Sequence, residues 1–107
     1  MTFNLTPLKL DDYDGDRLDE CPYCGGNNLH QSDVTVFSRD EDAQKVRVTH
    51  VMEDGTITSA SVLSEQANNP SSRRHGMQLY FWCETCEEKP VMAIFQHKGA
   101  TFIGWQK

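Results

Sequence analysis

Alternation of apolar and polar residues with a period of two is the clearest pattern in the middle of the chain. Residues 34–37 form a β-branched and aromatic run, and residues 46–52 alternate with the period of a strand. Asp54-Gly55 predicts a tight hairpin turn, with residues 57–63 as the return strand. The middle of the chain is therefore predicted to contain a β-hairpin.

The last third of the chain shows the same kind of pattern. Residues 77–82 and 91–97 are apolar and aromatic runs, and residues 101–105 follow a tight turn at residues 98–100. Residues 64–75 contain Asn-Asn-Pro-Ser-Ser, which is typical of a loop. No segment shows the 3.6-residue apolar period of a helix. The predicted fold class is all-β and mainly antiparallel, with roughly six short strands.

The four cysteines fall into two Cys-x-x-Cys pairs, Cys21 with Cys24 and Cys83 with Cys86. Two residues between thiolates allow one tight turn to aim both sulfurs at one point, and a second such turn completes a tetrahedron around a metal ion. Gly25 relieves crowding directly after the first pair, where φ is often positive. We predict that all four cysteines bind one structural zinc ion per chain.

Both cysteine segments resemble the zinc-ribbon superfamily. Residues 21–26 (CPYCGG) are similar to its first knuckle, and residues 79–86 (LYFWCETC) are similar to its second. The opening is also similar to that of small phage and bacterial zinc-ribbon proteins, including the restriction-alleviation type. This resemblance implies two knuckles at hairpin tips in a small antiparallel sheet. The 58 residues between the second and third cysteines exceed the spacing in many zinc ribbons.

The domain organisation follows from these positions. Residues 1–20 carry six acidic residues within 11–20, and we interpret them as an acidic lead-in. Residues 21–107 are predicted to form a single zinc-ribbon-like β domain. Within it, residues of about 32–75 are interpreted as an insertion between the knuckles, which enlarges the sheet by a β-hairpin.

Four cysteines could also serve a redox, disulfide or iron site. A redox dithiol requires a Cys-x-x-Cys at the start of a helix in a βαβ unit, and no such helix is predicted. A disulfide or an iron ion in the same site stays open as an alternative. Four cysteines close the metal's coordination shell and leave no position for an activated water, so we expect no enzyme activity.

Net charge restricts the partners. The 107-residue chain has a net charge of −6, and residues 1–65 hold 13 acidic against 5 basic residues. Such a balance disfavours tight non-specific binding to phosphate backbones, and it suits a basic protein surface. No apolar run approaches the ~20 residues of a membrane span, and no signal peptide is visible. The expected location is the cytoplasm.

Four residues are candidate partner contacts. Arg73 and Arg74 end the predicted loop, Lys98 lies in the last hairpin turn, and Trp105 is one of the C-terminal aromatics. The resemblance implies a regulatory or accessory phage or bacterial protein associated with nucleic-acid metabolism. Two alternatives are a protein-binding regulator or inhibitor that uses the acidic surface, and a structural subunit of a larger assembly. An exposed sheet edge would also allow homo-oligomers.

Overall fold

A computed structural model of the protein describes residues 4–106. Residues 1–3 of the predicted acidic lead-in and residue 107 of the predicted β domain lie outside the described residues. Strands account for most of the regular structure, and a short 3₁₀ turn follows the sixth strand at Ser64–Gln66. The strands are β1 (Leu5–Thr6), β2 (Asp11–Asp12), β3 (Asp16–Arg17), β4 (Leu29–Ser38), β5 (Lys45–Val51), β6 (Ile57–Leu63), β7 (Gly76–Cys83), β8 (Val91–His97) and β9 (Ala100–Gln106).

Seven of these strands form one antiparallel sheet in the order β1-β9-β8-β7-β4-β5-β6, and β2 pairs with β3 in a separate hairpin. Strand β4 follows the first cysteine pair, and its amino-terminal end lies beside the last residues of β7, where the second pair begins. The hairpin β5–β6 extends the sheet on the far side of β4. These pairings confirm the predicted all-β, mainly antiparallel fold with a hairpin inserted between the cysteine pairs.

One core lies under the N-terminal segment, close to the cysteines. Phe81, Met92 and Trp105 are buried there, and the rings of Phe81 and Trp105 meet edge to face with centroids 5.4 Å apart. Leu8 and Leu18 pack against this cluster from the chain before β4. The acidic lead-in therefore contributes apolar side chains to the core, and its charged residues remain outside.

A second apolar row lies on the opposite face of the sheet, toward its other end. The register aligns four residues across neighbouring strands, namely Phe37, Gly76, Phe95 and Phe102. Phe37 and Phe95 are 2% and 3% exposed. A Cβ on Gly76 would meet Asn69 and Pro70, so the loop before β7 covers this face. The strong aromatic content of the last third thus serves two faces, because neighbouring residues in a strand point in opposite directions.

No helix within the described residues is long and apolar enough to cross a membrane.

Candidate metal centre

The first Cys-x-x-Cys turn is closed by its own backbone. Gly25 N–H donates to the carbonyl of Cys21 at 2.9 Å, and Cys21 N–H donates to the carbonyl of Gly26 at 2.8 Å. Gly25 has φ +76°, a conformation that glycine adopts without steric cost. Two backbone N–H groups point at the sulfurs, with Tyr23 N 3.4 Å from Cys21 Sγ and Gly26 N 3.4 Å from Cys24 Sγ. The turn therefore presents both sulfurs as hydrogen-bonded acceptors.

The second turn repeats this geometry at the end of β7. Glu87 N–H donates to the carbonyl of Cys83, four residues before it, at 3.0 Å. In the first turn, Gly25 N–H donates to the carbonyl of Cys21 in the same way. Glu87 has φ +62°, so a glutamate holds the left-handed conformation that a glycine holds in the first turn. Glu84 N–H also donates to the carbonyl of Asn28 at 3.1 Å. That bond ties the two turns together through their backbones.

The four sulfurs meet in one cluster. All four lie within 4.8 Å of one another, and Cys21 and Cys83 are each 1% exposed. Two separations cross between the turns, at 3.8 Å for Cys21 and Cys86 and 3.7 Å for Cys24 and Cys83. A tetrahedron of thiolates about 2.3 Å from a central zinc ion has edges of about 3.8 Å. The spacing thus fits a tetrahedral four-sulfur metal site.

The protonation of the cluster shows why it suits a divalent cation. Backbone N–H groups of Cys86 and Thr85 stabilise the Cys83 thiolate and lower the pKa of this thiol to about 6. The backbone N–H of Glu88 favours the thiolate of Cys86, but burial and the neighbouring sulfurs outweigh it and raise the pKa of Cys86 to about 12. Four adjacent thiolates repel one another, so their full ionisation requires a positive charge at the centre.

Aromatic and charged side chains surround the second turn. His30 lies opposite Trp82 in the register of β4 and β7, and the two rings stack with centroids 4.3 Å apart. His30 Nε2 is 3.2 Å from Glu84 Oε1. No sulfur takes part in these contacts, so His30 supports the strand that leads into the turn. Trp82 is 38% exposed beside the cluster.

The four predicted contact residues do not share one surface. Trp105 is 2% exposed and packs in the core near the cysteines. Arg73, Arg74 and Lys98 lie toward the opposite end of the sheet, where β7 begins and β8 turns into β9. The guanidinium of Arg73 is bound by Asp42 at 2.7 Å and by Glu41 at 3.1 Å. These carboxylates come from the loop between β4 and β5, and they neutralise the charge of Arg73.

Sequence reasoning missed the positive φ of Glu87, for which the only available signal is its position four residues after Cys83, matching Gly25 after Cys21. The backbone N–H donors near the sulfurs follow from the Cys-x-x-Cys turns themselves. Comparison of the chain with protein-family models, with curated proteins and with solved structures found no match in any of the three.

Proposed function

We propose that this chain is a non-enzymatic protein in which one structural zinc ion holds the fold together, and that it acts through macromolecular contacts. The observation that carries the proposal is the closed cluster of four cysteine sulfurs at the junction of two turns. Four thiolates are the ligand set typical of structural zinc, whereas catalytic zinc keeps a position open for water. The soft, tetrahedral ligand set also favours zinc over calcium or magnesium.

The position of the cluster supports a structural role. It links residues 21–28, which precede β4, to the end of β7, and Cys83 N–H donates to the carbonyl of Glu88 at 3.0 Å just beyond it. The N-terminal segment covers the adjacent core through Leu8 and Leu18. Without the ion, neither turn has a covalent link to the other. Zinc binding would therefore be part of the folding free energy of this end of the sheet.

A basic protein surface is the partner that the electrostatics support best. The β2–β3 hairpin displays Asp12, Asp14 and Asp16, all exposed, around the 69% exposed ring of Tyr13. Asp12 lies directly opposite Asp16 in the register. Like charges facing each other across a strand pair destabilise it, so this pair adds no stability to the hairpin and its charge is left for a partner. An acidic, aromatic-bearing hairpin of this kind would serve a protein-binding regulator or inhibitor.

Association with nucleic acid, in a phage or bacterial accessory or regulatory role, is the second candidate. The exposed Trp82 ring stacked on His30 supports it, because such a pair offers a face on which a base can stack. The ion pairs of Arg73 with Asp42 and Glu41 weigh against it, since they occupy the guanidinium that would contact phosphate. The net charge of −6 weighs in the same direction.

Paired binding assays distinguish these candidates. Fluorescence anisotropy measures binding of a labelled Lys/Arg-rich peptide and of a labelled single-stranded oligonucleotide, each over a salt series. The hairpin variant D12N/D14N/D16N should lose peptide binding, whereas a control with the same charge change, D40N/E53Q/E65Q, should retain most of it. All six of these acidic residues are exposed. Equal losses in the two variants would mean that only net charge matters, which would refute the hairpin as the contact.

The oligonucleotide arm of the assay tests the second candidate. Salt-sensitive binding of the oligonucleotide that is lost on Trp82→Ala, and that survives neutralisation of the hairpin, would favour nucleic acid over protein. If Trp82→Ala and the hairpin variant both bind the peptide and the oligonucleotide as the wild type does, the third alternative, a structural subunit, becomes the better account. That role would be seen as a subunit that co-purifies in a stable complex.

A further inference from the structure

Strand β6 is an uncharged edge strand, and the backbone N–H and C=O groups along its outer edge pair with no other strand of the described residues. Within the described residues, β6 pairs with β5 on one side and with no strand on the other. Its sequence, ITSASVL, contains no charged residue, no proline and no glycine. Its pairing with β5 runs without interruption from Lys45 with Leu63 to Val51 with Ile57. Edge strands of soluble proteins normally carry charges, prolines or bulges that prevent further pairing, and β6 has none of these.

Two hydrogen bonds establish which residues of β6 face outward. Ser64 N–H donates to the carbonyl of Gln44, and Met52 N–H donates to the carbonyl of Thr56, both at 2.8 Å. Hydrogen-bonded pairs alternate along an antiparallel ladder, so the even-numbered residues of β6 bond to β5. The backbone N–H and C=O groups on the free edge therefore belong to the odd-numbered residues, namely Ile57, Ser59, Ser61 and Leu63.

We propose that this edge pairs with β6 of a second copy of the chain, antiparallel about a two-fold axis at Ala60. This register places Ile57 opposite Leu63 of the second copy and Ser59 opposite Ser61 of the second copy. All four facing pairs then consist of residues whose backbone groups point outward. Each such pair exchanges two bonds, which gives about eight backbone hydrogen bonds across the interface. The two seven-stranded sheets become one continuous sheet.

The sequence of β6 supports a second copy as the occupant rather than an unrelated strand. Around Ala60 the strand is nearly palindromic in shape: serine lies on both sides at the first step, isosteric threonine and valine at the second, and isomeric isoleucine and leucine at the third. Two-fold pairing therefore sets each side chain opposite one of matching size. Because an isologous interface requires such self-complementarity, the pattern favours a symmetric dimer.

Burial of exposed apolar groups adds to the hydrogen bonds. Ile57 is 65% exposed and Leu63 is 41% exposed, although both belong to an otherwise regular strand. They point to the same face of β6 as each other, because they are separated by an even number of residues. In the proposed register, Ile57 of one copy covers Leu63 of the second copy, and Leu63 of the first copy covers Ile57 of the second. The face of Val51, which pairs directly with Ile57, is extended by the same contact.

Sedimentation equilibrium of the zinc-loaded full chain tests the proposal with a charge-swap pair. Ala60 is exposed, so A60K and A60E are expected to fold. In the proposed register each variant faces its own copy with a like charge at the two-fold axis, and like charges brought together disfavour pairing by about 10-fold or more. Thr101 is an exposed residue of β9, which lies near the edge of the sheet opposite to β6, so T101K is the matched control.

The expected result is a concentration-dependent dimer for the wild type and for T101K, a largely monomeric A60K and A60E, and a restored heterodimer when A60K and A60E are mixed. Restoration on mixing also shows that both variants are folded. A wild type that stays monomeric, or a dimer that persists in A60K, would overturn the proposal. Two monomeric variants that fail to pair on mixing would overturn the two-fold register, and would favour an unrelated extended segment as the occupant.

Discussion

Replacement of Gly76 by alanine tests whether the loop before β7 covers the sheet. Gly76 is buried, and an added Cβ would overlap Asn69 Oδ1 and lie 3.0 Å from Pro70 Cγ. Asn69 holds the loop through two hydrogen bonds, from its side-chain N–H to the carbonyl of Arg74 at 2.8 Å and from Ser71 N–H to its Oδ1 at 3.0 Å. The alanine must therefore displace a side chain that organises the loop.

The expected net cost is about 2–4.5 kcal/mol, because overpacking of about 1–3 kcal/mol and two weakened hydrogen bonds of about 1 kcal/mol each add to about 3–5 kcal/mol. The lower backbone entropy of alanine in the unfolded chain offsets about 0.4–1 kcal/mol of this. Urea unfolding of the zinc-loaded protein, at a constant free zinc concentration, measures the free energy of unfolding and the m-value. An unchanged m-value would indicate that only the stability has changed.

Asn69→Ala supplies the matched test, because it removes the atom that the new Cβ would overlap. In the N69A background, G76A should cost at least about 1 kcal/mol less than in the wild type. A G76A cost below about 0.5 kcal/mol would refute the covering loop. Additive costs, within the roughly 0.3–0.5 kcal/mol expected of independent sites, would refute the contact between Asn69 and Gly76.

Three further predictions concern the core and the metal site. Trp105→Ala should lower the free energy of unfolding in urea by about 3–5 kcal/mol, because Trp105 is 2% exposed. Trp82→Ala should lower it by about 1 kcal/mol, because Trp82 is 38% exposed, and similar losses in the two variants would contradict the assigned core. Glu87→Gly should raise stability by about 1 kcal/mol, because glycine adopts the φ of +62° without steric cost, and an unchanged or lower melting temperature would count against this. Protons compete with zinc for the thiolates, and the pKa of Cys86 is about 12 without the ion, so the stability that zinc confers at neutral pH is lost as the pH falls. A chromogenic zinc indicator should report release that increases steadily as the pH is lowered, and zinc binding that does not change with pH would contradict this.

Strands with a clear local signal were predictable from the sequence. The predicted strands at 57–63 and 91–97 coincide with β6 and β8, because the Asp54-Gly55 turn indicates where the first begins and an apolar run marks the second. Strand β4 was predicted only from residue 34, although it begins at Leu29. A bulge between Gln31 and Val34 shifts the register, and the polar residues around it hide the period-two signal.

Features that depend on distant residues were not predictable. Leu18 stands among charged residues, so local composition gave no sign that it packs on the core. The ion pairs of Arg73 involve Asp42, 31 residues earlier in the chain, and only the assembled sheet brings the two loops together. Clustering of the four cysteines could be predicted because the chemistry of a metal ion requires ligands at that spacing.

Metal content combined with a chelator melt tests the central claim most directly. Protein purified without chelator is analysed for metals by mass spectrometry, and its thermal unfolding is followed with and without a strong chelator. The account predicts about one zinc per chain and a large loss of stability on chelation, since structural zinc contributes about 10–16 kcal/mol of apparent binding free energy at neutral pH. Protein that contains no metal and melts at the same temperature with and without chelator would contradict it.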